Sequence, residues 1–235
     1  MGHSQASKAN THMRLVEAAA ARFQERGIDG ISLADLMKDL KLTHGGFYKH
    51  FASRDELVAE ALELALARSG EAMRERLFNG GEPDIRRFVE FYLTEAHRDG
   101  MADGCAVAAL AGDASRKSGS VQAQFRERIE ANLKSLSEAL GPGARGAPGV
   151  PGVPGVPGPA GRERALLVLS SLYGALMMAR AVGKSPLSRE ILESVRKGVL
   201  SLSGAAKRPR QRALAGKAPK ESKGPRTKVA GLSRK

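Results

Sequence analysis

Residues 32–51 read S-L-A-D-L-M-K-D-L-K-L-T-H-G-G-F-Y-K-H-F, and no other stretch constrains the fold as strongly. Ser32 stands where a helix N-cap would, with Asp35 at the third helical position to close a reciprocal cap. Leu33, Leu36, Met37 and Leu40 then share one face at helical spacing. Lys41 and Leu42 leave room only for a tight connection before Thr43 caps a second short helix carrying Phe47, Tyr48 and Phe51. Helix, tight turn, helix, with another helix ahead of them, is the grammar of a helix-turn-helix.

The remaining apolar spacing is helical as well. Residues 13–26 place Leu15, Ala19 and Phe23 on one face, and Gly27 stops them. Ser53 and Glu56 form a capping box that opens a long helix over about 55–77. Asn79, Gly80 and Gly81 end it. Pro83 is expected to open one helix running to about residue 99, with Ile85, Phe88, Val89, Tyr92 and Ala96 on its apolar face. A short helix of small residues follows over 105–115. Residues 118–140 carry Val121, Phe125, Ile129, Leu133, Leu136 and Leu140 at spacings of three and four. Two more helices are expected over 162–182 and 186–202. No run alternates with period two, and a chain with no Trp and 4% aromatic residues suits packed helices better than a sandwich. The fold class is therefore all-α.

Two segments depart from this pattern. Residues 141–161 hold eight Gly and six Pro, with Gly at every third position from 143. The period is collagen-like, but a handful of triplets without partner chains forms no triple helix, so a disordered loop is expected. Residues 205–235 carry 11 basic side chains against one acid, Glu221, and scarcely a large apolar one. Such a tail cannot offset its ordering entropy and is expected to be disordered. It holds +10 of the formal +13, so the basic balance describes the tail and not the folded body.

A single Cys excludes an intramolecular disulfide framework and any Cys-rich zinc site, and fits a reducing cytoplasm. The five His show no metal-ligand spacing. No metal or other cofactor is expected, since no phosphate loop, dinucleotide fingerprint or nucleophile elbow is present. The polar first dozen residues suggest no signal peptide. The apolar stretch 165–182 is broken by Ser170, Ser171, Gly174 and Arg180, so a buried or interface helix is expected there, not a membrane span.

A helix ending F-x-x-x-G at residues 23–27, then S-L-x-D-L, then L-T-H-G-G-F-Y-x-H-F and S-R-D-E-L, resembles the TetR family of one-component transcriptional regulators. The detailed likeness covers residues 8–68. It implies an N-terminal three-helix DNA-binding domain over 8–68, with its motif at 32–51. It also implies a helical ligand-binding and dimerising domain over 69–202, here followed by the basic tail at 203–235. The resemblance makes Tyr48 and His50 phosphate contacts and gives Arg54 a basic position at the start of the next helix. The family usually has Gly at the turn where this chain has Leu40 or Lys41. A non-glycine residue with positive φ costs about 1 kcal/mol there.

The chemistry of the motif agrees with that likeness. Residues 41–54 hold Lys41, Lys49 and Arg54, two His and no acid. Thr43 sits where the start of a helix would meet a phosphate. Gly45 and Gly46 each cost about 1 kcal/mol of helix propensity, which makes sense where the backbone must approach a groove wall. His44 and Lys49 are the side chains expected to reach base edges, and Phe47 and Phe51 should be core. Ser32, Thr43, His44, Gly45, Gly46, Tyr48, Lys49, His50 and Arg54 are thus the expected DNA-contacting set. Singly, Tyr48 and His50 also fit plain packing roles.

The family resemblance further implies a homodimer built on the last two helices. Two recognition helices would then reach successive major grooves about 34 Å apart on a palindromic site in double-stranded DNA. Phe88, Tyr92, His97, Phe125 and Met177 are candidate liners of an effector pocket, although such a stripe also fits a simple core. Cys105 opens a helix after Gly104, where a thiol gains reactivity. The segment resembles a subgroup with Gly-Cys here, some of whose members sense electrophiles or oxidants. A small buried residue packed among alanines fits equally.

Together these readings describe a cytoplasmic, dimeric DNA-binding repressor released by a small molecule or by thiol modification. An activator would look the same. A helical-bundle enzyme would need converging acids, bases or metal ligands, and the sequence offers none, so no enzyme is expected. A protein that coats chromosomes through its basic tail is the third reading.

Overall fold

The computed structural model describes residues 2–117, 119–140 and 161–203. Among them lie ten α-helices and no strand. The Gly/Pro-rich segment up to residue 160 and the tail from residue 204, both expected to be disordered, fall outside the described residues.

Helix α1 (Gly2–Arg26) starts eleven residues before the expected residue 13. Nothing in its polar first turns breaks a helix, and Thr11 Oγ1 donates back to the Ser7 carbonyl (3.0 Å). Leu15, Ala19 and Phe23 are buried. Gly27 ends the helix with φ +82°, a conformation that favours glycine. Helix α2 (Leu33–Asp39) is capped by Ser32 and buries Leu36 and Met37. The turn after it places Lys41 at φ +56°. There Lys41 N–H donates to the Lys38 carbonyl (3.0 Å) and Leu42 N–H to Met37 (2.9 Å). These are the paired bonds of a left-handed helix end, usually built with glycine.

Helix α3 (His44–Phe47) is shorter than expected. Beyond it the chain tightens, with His50 N–H donating to the Phe47 carbonyl (2.8 Å). Two glycines in four residues give regular helix little support. Phe47 and Phe51 are buried, their rings 5.4 Å apart. Helix α4 (Arg54–Phe78) opens with Ser53 accepting from Glu56 N–H and closes on Asn79 in the left-handed region.

The expected helix from Pro83 to residue 99 is two helices, α5 (Ile85–Tyr92) and α6 (Glu95–Asp99). Asp84 caps the first. Thr94 caps the second, its hydroxyl accepting from His97 N–H (3.2 Å). His97 turns back so that Nδ1–H donates to the Tyr92 carbonyl (2.8 Å), satisfying the end of α5. Helices α7 (Ala106–Ala114), α8 (Gly119–Leu140), α9 (Gly161–Ala181) and α10 (Pro186–Leu202) complete the fold.

Helix α4 is the spine. α1 packs along it near the motif, α8 lies along it further on, and α9 packs between α8 and α10. α9 is long and apolar enough to cross a membrane by length and composition alone. In this fold Ala165, Val168, Leu169, Leu172 and Leu176 of that helix are buried.

Candidate nucleic-acid interface and internal cavity

The residues of the motif divide into an inner and an outer set. Phe47 and Phe51 anchor the second short helix, which leaves Tyr48 61% exposed, its ring edge-on to Phe47 at 5.2 Å. Lys49 beside it is exposed, as are Thr43 and Gly45. Thr43 occupies the N-cap of α3, yet its hydroxyl makes no bond to the helix. A Cβ on Gly45 would meet nothing within 4 Å, so packing inside the chain does not require glycine there. Gly46 lies closer in, where a Cβ would come 3.3 Å from the Thr43 hydroxyl. His44 is the first residue of α3.

Two expected contacts have other occupations, and a third is half-buried. Ser32 Oγ accepts from Asp35 N–H (3.1 Å) and donates to the Asp35 carboxylate (2.6 Å), so its hydroxyl belongs to the α2 cap. Arg54 turns inward instead of toward the expected DNA face. Its Nη2 donates to the carbonyls of Ile28 (2.5 Å) and Ile31 (3.3 Å), and Nη1 lies 3.7 Å from Asp29. These groups close the loop after α1, which is chain geometry that no linear spacing reveals. His50 is half-buried, and its Nδ1 is enclosed without a hydrogen-bond partner. Burial, with His12, Lys8 and Lys49 nearby, pulls His50 below the ordinary imidazole value.

The sequence reading missed His12. Its ring stacks on Phe51 (4.4 Å) and its Nε2 pairs with Glu60 (2.7 Å). The signal was available: residues 12, 16, 19 and 23 share one helical face.

The second feature is a cavity of about 50 Å³ between α4, α5, α8, α9 and the start of α7. Of the expected liners, Phe88, Tyr92 and His97 form its wall, together with Cys105. Phe125 and Met177 do not. Phe125 is buried core and lies nearer the motif end of the bundle, where its neighbour Gln124 bonds the Ala59 carbonyl (3.2 Å). Met177 is 40% exposed, because one residue past the buried Leu176 turns the helix by about 100° away from the core. The unforeseen liners include Met73, Arg76, Asn132 and Tyr173. Asn132 and Tyr173 carried a signal, being polar groups among the apolar faces of α8 and α9. Asn132 Nδ2 donates to Tyr173 Oη (2.9 Å).

Cys105 is the N-cap of α7 and is buried, its Sγ accepting from Ala108 N–H (3.5 Å). The Tyr92 hydroxyl is enclosed without a hydrogen-bond partner, the Cys105 sulfur being its polar neighbour. Burial pushes the Tyr92 phenol well above its ordinary value and pulls the His97 imidazole below its own, although the Tyr92 carbonyl opposes the latter. Among the described residues no three His, Cys, Asp or Glu side chains gather as a metal site.

Residues 15–61 match the family described as bacterial regulatory proteins, tetR family. An uncharacterized HTH-type transcriptional regulator of Bacillus subtilis, YvdT, is 30% identical over 91 residues, 37% of this chain. The chain spans about half the length of that relative, 46%. The fold is similar to the crystal structure of reduced NemR from E. coli, with 22% identity, a TM-score of 0.64, and coverage of 81% of this chain and 95% of that one. It is also similar to a TetR transcriptional regulator from Chloroflexus aurantiacus, with 23% identity, a TM-score of 0.66, and coverage of 82% and 93%.

Proposed function

We propose that this chain, a member of the TetR family of bacterial regulatory proteins, is a sequence-specific DNA-binding regulator of transcription. It acts as a repressor released when a small molecule fills the cavity or when Cys105 is modified. The observation that carries the DNA-binding reading is the outward row of Thr43, Gly45, Tyr48 and Lys49, held over a buried Phe47 and Phe51. Tyr48 supplies a phosphate contact and Lys49 reaches base edges.

Two copies are needed to meet two half-sites of a palindrome. The exposed Leu166, Leu167, Met177 and Met178 of α9, with Leu187 of α10, form the apolar stripe that supports pairing. A contiguous path supports release. Cys105 caps one end of α7. Near its other end Asp113 accepts from Ile28 N–H (3.1 Å), Lys117 pairs with Asp29 (2.7 Å), and the Ile28 carbonyl in turn accepts from Arg54 at the head of α4. A shift of α7 is thus felt at the loop that seats the motif. The net +10 of residues 205–235 adds attraction to any DNA without reading sequence.

The test is recovery of genomic fragments bound by the full chain, followed by footprinting. A sharp footprint on a palindrome is expected. Tyr48→Phe should weaken binding to every sequence by a similar factor, and Lys49→Ala by a factor that depends on the site. Unchanged affinity in both variants, with native circular dichroism, would remove the assignment.

A further inference from the structure

The cavity wall is rich in hydrogen-bond donors and positive charge. Tyr92 is 5% exposed, and its hydroxyl has no hydrogen-bond partner but the weakly accepting Cys105 sulfur beside it. Tyr173 accepts from Asn132, which leaves its own O–H to donate inward. Burial holds both phenols protonated. Arg76 lines the cavity with its guanidinium 4.2 Å above the Phe91 ring.

Two further cations stand behind the wall. Arg180 donates to the carbonyls of His97 (3.2 Å) and Arg98 (3.1 Å), while its Nη1 is enclosed without a partner. Its Nη2 lies 3.1 Å from where a Cβ on Gly104 would stand, and Gly104 is part of the wall. Arg128 is half-buried and packs across Gly70, only its Nε being enclosed and unpartnered, and its charge bears on Tyr173. No carboxylate pairs with Arg128 or Arg180 among the described residues. Among the described residues the only carboxylate in the lining is Asp103, which is exposed.

An enclosed cation without counter-charge, as at Arg180, is costly unless something pairs with it. We infer that the cavity binds a small aromatic carboxylate, its anionic head toward the Tyr92 and Tyr173 hydroxyls and its ring against Phe88 and Phe91. This rests on the reading of the cavity as the effector site and names the class of effector. The cavity's 50 Å³ holds the head and first atoms, since one water needs about 10–15 Å³ of such space, and the rest of the ring extends toward the mouth. The two phenols give an anion donors against which the Cys105 sulfur is only a weak competing acceptor, whereas a neutral amide of the same shape gains nothing from the guanidinium field.

The probe is sodium benzoate against benzamide, titrated calorimetrically into the full chain without DNA at fixed ionic strength. Benzoate should bind at least about tenfold more tightly than benzamide, as expected for hydrogen bonds to a charged group. Tyr92→Phe and Arg76→Gln should each weaken benzoate severalfold or more and weaken benzamide less, since the amide carbonyl also accepts from the Tyr92 hydroxyl but carries no charge. Equal binding of the two probes, no benzoate binding, or benzoate binding untouched in both variants would overturn the assignment. The footprint is read separately. Benzoate binding by a chain that footprints nowhere would defeat the regulator and leave the anion site standing. A sharp footprint with no benzoate binding would do the reverse.

Discussion

Arg54 donates through one guanidinium nitrogen to the Ile28 carbonyl at 2.5 Å, tying the head of α4 to the loop that follows α1. The same nitrogen reaches the Ile31 carbonyl (3.3 Å). The side chain is one-third exposed, so water screens its charge and tempers the contribution. Arg54→Ala should lower stability by about 1 kcal/mol, because two carbonyls lose their donor. The salt dependence of DNA binding should not change. A variant of wild-type stability whose log–log salt slope fell by about 0.9 would return Arg54 to the DNA face.

Lys41 holds φ at +56° in the turn between α2 and α3. Glycine relieves that strain but has more freedom to lose on folding, so the two effects partly cancel. Lys41→Gly should therefore gain less than about 1 kcal/mol in urea denaturation, while Lys41→Ala gains nothing. A destabilised glycine variant would mean that the turn carries no strain.

Cys105 is the only thiol in the chain, so modification at sulfur has one address. Hydrogen peroxide or N-ethylmaleimide should lower the affinity of the wild type for recovered DNA fragments. Cys105→Ser should be indifferent to both. Serine is a good N-cap, so the variant keeps the start of α7 and its fold. A serine variant that responds like the wild type would leave Cys105 as packing alone.

His97 and His50 both lie below the ordinary imidazole value, chiefly through burial. The folded state then binds fewer protons than the unfolded chain. Stability is complete above the unfolded value of about 6.5 and falls as the pH drops through it toward the lower folded values. Denaturation midpoints should fall between pH 7.5 and 5, and His97→Gln should flatten that decline. A midpoint that rises on acidification would contradict the burial argument.

Local signals in the sequence determined the helices and most of their ends. Ser32, Ser53 and Gly27 are caps and stops whose physics acts within one turn, and the apolar spacing of α8 and α9 needs no partner to be read. The motif was legible for the same reason: a tight turn and an exposed second helix are specified by adjacent residues. Thr94, which divides the expected Pro83 helix, was a local signal that the apolar face of α5 masked. Tertiary structure decided the rest, because those outcomes depend on residues far apart in the chain. Arg54 finds backbone carbonyls 23 and 26 residues away. Met177 turns outward while Tyr173, one turn earlier, meets Asn132 across the cavity. Arg180 becomes an enclosed cation only because α6 brings the His97 and Arg98 carbonyls to it. Spacing along a helix fixes which side chains share a face, but only packing decides whether that face meets core, cavity or solvent.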